Sequence, residues 1–338
     1  MRGVVVPERR AADSCHGRMR NMRKMICMHG LTPEQEDKIR AAAPGWSILF
    51  GRPSELDAES FREAEVVCGW CPAVETEGLR PDSKLRWVQT WSAGVDKLPL
   101  DALAAKGVIL TDASGIHPIQ MTETAFAMML AFARNVHTAI RNQAKGVWDS
   151  SGTFGELYGQ TIGIVGAGAI GGRLARIAKA FGMRTLGVRR SGRPAADFDA
   201  MTDLTGLHDV LSASDYVVNA LPLTAETRGL FGPDAFRSMK RTARFLNIGR
   251  GATVDTDALV EALRDGTIAG AGLDVTDPEP LPADHPLWKM DNVIITPHTS
   301  GLTNRYKERI TELFVFNLQT YLREGRPARN IVDYERRY

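Results

Sequence analysis

One segment constrains the fold of this chain more than any other, the stretch Gln160–Lys179. Its first residues are apolar or β-branched and predict a buried strand, and the apolar residues that follow are spaced as on one face of a helix. Gly166, Gly168 and Gly171 stand at the junction. Glycines at this spacing allow a tight turn, close approach of the backbone to a pyrophosphate, and close helix–strand packing. The segment therefore predicts a Rossmann dinucleotide-binding turn, with Ala169–Ile170 opening the helix that receives the phosphates.

The residues after the next predicted strand, Arg184–Val188, indicate which dinucleotide is preferred. In NAD-binding folds an Asp or Glu stands about 20 residues after the glycines and holds the ribose 2′-hydroxyl. Here the strand is followed by Arg189, Arg190 and Ser191. Two guanidinium groups and a hydroxyl can hydrogen-bond a 2′-phosphate, which a carboxylate would repel. The sequence therefore predicts NADP(H) as the preferred cofactor, with NAD(H) also usable; the alternative is a solvated basic turn.

The length and composition predict a globular protein of two domains. A chain of 338 residues is too long for one ordinary core. With 43% hydrophobic residues and a net charge of +2, it gives no reason to expect nucleic acid or a membrane as partner. The longest apolar run, Ala125–Ala133, is far shorter than the roughly 20 residues needed to cross a bilayer. It predicts a buried helix.

The cysteines indicate a reducing compartment, so we expect a cytoplasmic protein. There are 4 of them, too few and too scattered for a disulfide framework. Cys68 and Cys71 form a C-x-x-C pair, but no later cysteine supplies the second ligand pair that zinc would need. We interpret the pair as a loop at a strand end and expect no metal site. A redox dithiol is the alternative.

The remaining pattern predicts two interleaved α/β domains. Residues 1–24 are rich in Arg and poor in acids, and we expect a disordered extension or a start codon read too early, with a targeting segment as the alternative. From residue 25 onward, strands alternate with helices, which indicates doubly wound parallel sheets. Strands are predicted over 25–28, 47–50, 65–68, 85–89 and 108–111 before the glycine turn, and over 216–219, 244–248, 270–274 and 292–296 after it.

Two long predicted helices set the domain boundaries. One runs from about Pro118 to Lys145, and the other from about Thr303 to Arg323. We expect residues 25–116 plus 302–338 to form a flavodoxin-like substrate (catalytic) domain, with residues 117–301 inserted as the Rossmann NAD(P)-binding domain. Ligands of such sheets bind beyond the carboxyl ends of the strands, so the cleft between the domains is the expected site.

Three residues at predicted strand ends can supply the chemistry of reducing a 2-oxo acid. Arg250 follows one strand, and its guanidinium can bind a carboxylate and polarise the adjacent carbonyl. His298 follows another strand and offers an imidazole as general acid in reduction and general base in oxidation. Glu279 lies on a proline-flanked loop and can accept the other imidazole N–H, which fixes the tautomer and stabilises the imidazolium. Each residue alone is weak evidence, but the three together predict a dehydrogenase site.

From residue 25 to about 325 the chain resembles the D-isomer-specific 2-hydroxyacid dehydrogenase family. The resemblance is carried by the segments 92–96, 166–171, 221–227, 247–251, 272–280 and 296–298. It implies that Arg250, Glu279 and His298 are the catalytic residues, and that backbone groups of Ala93 and Gly94 bind the substrate carboxylate. It also implies a D-hydroxy acid product and a homodimer formed through the helix after Pro118. The further cofactor contacts that it implies are Leu221, Pro222, Thr227, Ile248, Gly249, His298 and, near the nicotinamide amide, Asp274.

Two departures from the family pattern refine this expectation. The acidic NAD-selecting position is replaced by the basic segment 189–191, which favours NADPH and the reductive direction. The loop 68–71 lacks the basic residue of phosphoglycerate-type members and carries Trp70 instead, which favours a small or apolar substrate side chain, unless Trp70 is simply a core residue. A dinucleotide-gated binding protein on the same fold is the alternative function. It is disfavoured because no long disordered tail follows the last helix.

Overall fold

A computed structural model describes residues 22–28 and 30–336, and all of the strands in the first part of the chain join one parallel sheet. The sheet has the order β2-β1-β3-β4-β5. Of the predicted N-terminal extension, residues 22–24 are described, with Lys24 in the first strand and Arg23 paired with Glu65; the predicted disorder of residues 1–21 lies outside the described residues. The strands are β1 (Lys24–Met28), β2 (Ser47–Gly51), β3 (Val66–Cys68), β4 (Trp87–Gln89) and β5 (Ile109–Thr111).

The remaining strands form a second sheet of 7 strands in the order β12-β11-β10-β9-β6-β7-β8. All of its pairings are parallel, which confirms the predicted fold class. The sequence did not predict β8, a short and partly exposed edge strand. The strands are β6 (Thr161–Val165), β7 (Arg184–Val188), β8 (Ala200–Thr202), β9 (Tyr216–Asn219), β10 (Arg244–Asn247), β11 (Gly270–Leu273) and β12 (Val293–Ile295).

Helices cover both faces of the two sheets. The first begins with a capping box, in which Thr32 and Gln35 bond each other's backbone N–H groups. The α-helices among the described residues are α1 (Pro33–Ala42), α2 (Ala58–Glu63), α3 (Leu100–Lys106), α4 (Pro118–Ala133), α5 (Val136–Ala144), α6 (Ala169–Ala180), α7 (Leu207–Ala213), α8 (Pro233–Ser238), α9 (Thr256–Arg264) and α10 (Tyr306–Glu324). Within the described ranges, none of these helices is long and apolar enough to cross a membrane.

The prediction of one continuous helix from Pro118 to Lys145 is wrong, because two helices, α4 and α5, occupy this range. The chain breaks between α4 and α5 because Asn135 adopts a left-handed conformation with φ 52°. Asparagine tolerates this conformation better than other non-glycine residues. Its side-chain amide donates to the Thr153 carbonyl oxygen at 3.0 Å, a long-range contact that helical periodicity does not reveal.

The two longest helices pack on different sheets. α4 packs against α6 and against β10 and β11 of the second sheet, where Phe126 and Met129 join the core beneath β6. α10 packs against α1, and Phe314 lies on the Trp87 ring of β4 at a centroid distance of 5.3 Å. The chain therefore leaves the first sheet after β5 and returns to it through α10.

Candidate active site

Three adjoining cavities lie beyond the carboxyl ends of the strands, where ligands of parallel sheets bind. The cofactor cavity has a volume of about 520 Å³ and is lined by the glycine turn and by the end of β7. The catalytic cavity, about 510 Å³, is lined by Arg250 and His298. The substrate recess, about 530 Å³, shares those two side chains and extends toward Trp70.

The glycine turn has the geometry that the fingerprint requires. Gly166 has φ +105°, and a Cβ atom there would lie 2.7 Å from the Ala220 carbonyl carbon. A Cβ atom at Gly171 would lie 2.4 Å from the Gly166 carbonyl oxygen, so α6 can begin against β6 only if this residue is glycine. Apart from the residues next to it in the chain, no described atom lies within 4 Å of a Cβ built on Gly168. The turn therefore leaves open space on the side where a phosphate would approach.

Most of the predicted cofactor residues meet around two of these cavities. Gly171 is the exception within the turn, since it is buried under α6 and serves packing. The cofactor cavity is large enough for part of a dinucleotide, and the Nε of Arg189 is buried without a described partner, so these residues fit NAD(P). The cofactor cavity is lined by Gly166, Gly168, Ala169, Ile170, Arg189, Arg190, Ser191, Leu221, Pro222 and Thr227, and the catalytic cavity by Ile248, Gly249 and His298.

Asp274 lies beside His298, where its carboxylate has a structural role, and its predicted contact with the nicotinamide amide stays a prediction. Asp274 is only 2% exposed. Its Oδ1 accepts hydrogen bonds from the Thr296 hydroxyl at 2.6 Å and from the Thr299 N–H at 2.9 Å. Both of its oxygens accept from Ser300, through the backbone N–H and the hydroxyl. The carboxylate therefore holds the loop on which His298 is carried.

His298 is fixed at both its backbone and its ring. Its φ is 53°, an unfavourable value for a non-glycine residue, and its N–H donates to the Asp274 carbonyl oxygen at 2.8 Å. The ring Nδ1 lies 2.6 Å from Oε1 of Glu279. Within the described part of the chain, the ring Nε2 has no hydrogen-bond partner. A proton held at Nε2 can therefore be given to a group in the adjoining cavities.

Arg250 is held much more loosely. Its Nη1 donates to the Gly249 carbonyl oxygen at 3.0 Å, and its Nε lies 3.6 Å from Oδ1 of Asp96. Gly94 leaves the space that the guanidinium occupies, since a Cβ atom there would lie 2.0 Å from Nη2. The Gly94 N–H donates to the Ser92 hydroxyl at 3.1 Å. Ala93 and Gly94 both line the catalytic cavity beside Arg250.

A buried amide pair supports the turns after β9 and β10. The Asn219 amide donates to Oδ1 of Asn247 at 3.0 Å and to the Thr253 hydroxyl at 2.7 Å. Asn247 in turn donates to the Arg250 carbonyl oxygen, while Asn219 accepts from the Leu221 N–H. Sequence analysis missed this role of the two asparagines. Their signal is a polar residue at the last position of each buried strand.

The substrate recess combines aromatic walls with a second cation besides Arg250. Trp70 and Trp91 both line it, and Trp70 also packs against the core of the first sheet, so the two alternatives for this residue are compatible. Lys97, which the sequence analysis did not select, lines the same recess. It is exposed and has no ion pair among the described residues. The recess therefore contains a cation in addition to Arg250, although the loop 68–71 provides none.

His117 is a second histidine of the cleft that sequence analysis missed. It lines both the catalytic and the cofactor cavity and packs beside the Tyr306 ring at a centroid distance of 5.5 Å. Burial, and then the nearby charges of Arg250 and Arg309, lower the pKa of His117 from 6.5 to about 4. The imidazole is therefore neutral at neutral pH. Asp112, in the same cavity, has its pKa raised by burial, against the hydrogen bonds from Ser114.

Comparison with known proteins places this arrangement in a family. Residues 126–300 match the family model described as the D-isomer specific 2-hydroxyacid dehydrogenase, NAD binding domain. A glyoxylate reductase of Korarchaeum cryptofilum is 34% identical over 299 residues, covering 87% of this chain and 88% of that protein. A glyoxylate reductase of Pyrococcus horikoshii is 35% identical, covering 82% of this chain and 83% of that protein.

Two solved structures agree with these sequence matches. A D-isomer specific 2-hydroxyacid dehydrogenase family protein of Aeromonas salmonicida superposes with a TM-score of 0.82 at 34% identity, covering 93% of this chain and 99% of that one. An NADPH-dependent glyoxylate/hydroxypyruvate reductase of Sinorhizobium meliloti, solved with NADP and sulfate, has a TM-score of 0.76 at 27% identity, with coverages of 94% and 100%. The chain therefore belongs to the D-isomer specific 2-hydroxyacid dehydrogenase family and is an NAD(P)-dependent oxidoreductase.

Proposed function

We propose that this enzyme reduces a 2-oxo acid to a D-2-hydroxy acid, with NADPH as the preferred reductant. The observation that carries the proposal is that Arg250 and the paired imidazole of His298 line the same two cavities, next to the glycine turn. A cation and a positioned proton donor beside a dinucleotide cavity are what reduction of a carbonyl next to a carboxylate requires. The glyoxylate reductases among the relatives support the same reaction class.

Arg250 and the backbone near Gly94 bind the substrate carboxylate in this proposal. A guanidinium can donate two parallel hydrogen bonds to a carboxylate. The Gly94 N–H lies beside it and can exchange its bond to the Ser92 hydroxyl for one to the substrate. The carbonyl to be reduced is then held next to the guanidinium, which polarises it.

His298 donates the proton to the carbonyl oxygen, and Glu279 stabilises the imidazolium before that transfer. Their 2.6 Å contact leaves Nε2 as the donor atom. When bound, the reduced nicotinamide supplies the hydride for the carbonyl carbon. In the oxidative direction the same imidazole accepts the proton, and Glu279 then stabilises the charge that forms.

The side chain of the substrate is proposed to enter the substrate recess. Trp70, Trp91 and Leu98 give it largely apolar walls, which favours 2-oxo acids with an apolar side chain over glyoxylate. Lys97 at the same recess admits a second possibility, an anionic group at the far end of the side chain. Comparing kcat/KM for 2-oxo acids with an apolar side chain and for those with an anionic side chain decides between the two classes.

The preference for NADPH rests on the basic segment after β7. Arg189, Arg190 and Ser191 line the cofactor cavity, and no carboxylate stands among them. The NADP-bound Sinorhizobium meliloti enzyme, at 27% identity, supports the same preference. The ratio of kcat/KM for NADPH and NADH measures it.

The first experiment follows the absorbance of NADPH and NADH with a panel of 2-oxo acids, from glyoxylate to phenylpyruvate and oxaloacetate. We expect turnover with NADPH well above that with NADH. In His298→Ala, turnover should fall about 1,000-fold, since general acid catalysis is typically worth 10²–10⁴-fold, while NADPH binding stays within about 2-fold. Normal turnover in this variant contradicts the assignment. Tight cofactor binding without turnover on any acid instead supports the dinucleotide-gated binding protein.

We further propose a cytoplasmic homodimer in which residues 25–116 plus 302–338 form the substrate domain and 117–301 the dinucleotide domain. The break after β5 and the return of α10 to the first sheet support this division.

The described cysteines, Cys27, Cys68 and Cys71, are free thiols, which suits a reducing compartment. Apolar side chains exposed on and after α5, with Trp148 at 99%, support the dimer. They are Val136, Ile140, Val147, Trp148, Phe154 and Tyr158. Light scattering of Trp148→Ser tests it.

A further inference from the structure

A fourth cavity lies on the outer side of the glycine turn, and we call it the arginine recess. Its volume is about 520 Å³. Arg173 and Arg176 line it from α6, and Arg189 lines it from the end of β7. The recess shares the residues 167–169 and Arg189 with the cofactor cavity, so the two spaces adjoin across the turn.

The charges of this recess are not balanced within the protein. The guanidinium groups of Arg173 and Arg176 have no hydrogen bond or ion pair with any residue that the structure describes, and the Nε atoms of Arg173 and Arg189 are buried without a described partner. The Nη2 of Arg189 donates to the Pro194 carbonyl oxygen at 3.1 Å, which directs the guanidinium along the recess wall. Asp197 is the one carboxylate among the lining residues of the recess. Three guanidinium groups against one carboxylate leave a site for an anion.

The position of the recess identifies the anion. Gly168 lies in the wall between the recess and the cofactor cavity, on the backbone that would face the pyrophosphate. Arg189 stands where dinucleotide folds contact the adenosine ribose at its 2′ position. A group attached to that ribose carbon and pointing away from the cofactor cavity would enter the arginine recess.

We infer that the arginine recess binds the 2′-phosphate of NADPH, and that Arg173 and Arg176 are specificity residues for it together with Arg189, which lines both cavities. This inference rests on the proposed preference for NADPH and extends it to α6. Arg173 and Arg176 are three residues apart, so they project from the same face of the helix and can contact one phosphate together. Arg176 is exposed and Arg173 is partly buried, so Arg173 is the stronger contact.

The test measures binding without any turnover. Titration calorimetry gives the Kd values of adenosine 2′,5′-bisphosphate and adenosine 5′-monophosphate, which differ by the 2′-phosphate alone. In Arg173→Gln the bisphosphate should bind about 10-fold more weakly, since a charge-assisted hydrogen bond at a partly exposed site is lost. The monophosphate should change by less than about 2-fold. Arg176→Gln should show the same selectivity with a smaller loss.

Two further variants serve as controls for effects of folding and of net charge on nucleotide binding. Arg173→Lys keeps the charge but loses the planar fork, and its Kd for the bisphosphate should lie between those of wild type and Arg173→Gln. Arg184→Gln is the matched control, because Arg184 is exposed at the opposite end of β7. It removes one positive charge from the same domain and should leave both Kd values unchanged.

The outcomes separate this inference from the proposed function. Equal weakening of both nucleotides by Arg173→Gln assigns the residue to the 5′-phosphate side and overturns the inference, as does no change in either. If wild type binds the two nucleotides equally, the NADPH preference and the recess assignment both fail, while reduction of 2-oxo acids with NADH stands. If the bisphosphate binds selectively but no 2-oxo acid is reduced, the recess stands and the reaction fails.

Discussion

His298 and Arg250 line the same two cavities, yet the protein holds them by different means. The loop that carries His298 is tied to the buried carboxylate of Asp274 by several hydrogen bonds, and the ring is tied to Glu279 at 2.6 Å. The guanidinium of Arg250 has one hydrogen bond, to a neighbouring carbonyl oxygen, and one longer contact with the part-exposed Asp96.

The difference corresponds to what each residue has to do. Proton transfer requires the imidazole within hydrogen-bond reach of one oxygen atom, so its direction is set before the substrate arrives. A guanidinium that captures a carboxylate can adjust as two charge-assisted hydrogen bonds form. The comparison therefore predicts that changes beneath His298 reduce kcat, whereas changes around Arg250 act mainly on the KM of the 2-oxo acid.

The largest effect should come from Asp274→Asn. The new amide nitrogen would point N–H groups at donors of Ser300 or Thr296, so buried hydrogen bonds are lost and the His298 loop shifts. We expect kcat to fall about 100-fold and the free energy of unfolding to fall by about 3 kcal/mol. Steady-state kinetics and urea denaturation measure the two effects.

Asp277→Asn is the matched control for that substitution. It removes the same charge three residues further along the chain, where the side chain is exposed. Its kcat and unfolding free energy should stay close to those of wild type. If Asp274→Asn also keeps kcat within about 3-fold of wild type, His298 is not positioned by this carboxylate.

Gly94→Ala tests the other side of the comparison. The added Cβ atom would lie 2.0 Å from Nη2 of Arg250, so the guanidinium has to leave its place. We expect the KM for the 2-oxo acid to rise about 30-fold, with a smaller change in kcat. NADPH binding, followed by nicotinamide fluorescence, should not change. Gly232→Ala is the control, since the nearest atom to its new Cβ lies at 3.6 Å; a larger loss in kcat than in KM would reverse our division of roles.

Much of the fold and the residues around the cavities could be predicted from the sequence, because these features depend on local patterns. A β-branched run that ends in spaced glycines specifies both the turn at Gly166 and the packing at Gly171. Arg250, Glu279 and His298 follow predicted strand ends, and parallel strands bring their carboxyl ends to one edge. The reaction class followed from these positions together with the family resemblance.

The parts that could not be predicted depend on contacts between distant segments. The break at Asn135 reflects a hydrogen bond to residue 153, and the role of Asp274 reflects donors that follow it by more than twenty residues. Lys97 and His117 are ordinary residues in the sequence, and only the packing of loops brings them to the cleft. Sequence periodicity carries no information about such contacts.

His117 should make the stability of the protein depend on pH, because burial and the nearby charge of Arg250 lower its pKa in the folded protein. Its pKa is about 4 in the folded protein and 6.5 when unperturbed. As the pH falls below 6.5 the unfolded chain binds a proton that the folded protein does not, so stability is lost until the pH reaches about 4. We expect this residue to account for about 3 kcal/mol of the loss. Urea denaturation of His117→Gln between those pH values should lack that part, whereas exposed His208→Gln should behave like wild type.

Asp96→Asn should give the smallest effect and tests whether Arg250 needs its carboxylate neighbour at all. The pair is separated by 3.6 Å, and the two side chains are 31% and 38% exposed. Surface pairs of this kind contribute about 0–1 kcal/mol, so the KM for the 2-oxo acid should change by at most about 5-fold and kcat should stay constant. The direction of the change in KM is informative. In wild type, Asp96 competes with the substrate carboxylate for the guanidinium of Arg250, so the KM of Asp96→Asn should be lower than that of wild type at low ionic strength. The two KM values should converge at high salt, which screens the interaction between Asp96 and Arg250. A large loss in kcat would mean that Arg250 is positioned as firmly as His298, and the contrast between the two residues would then disappear.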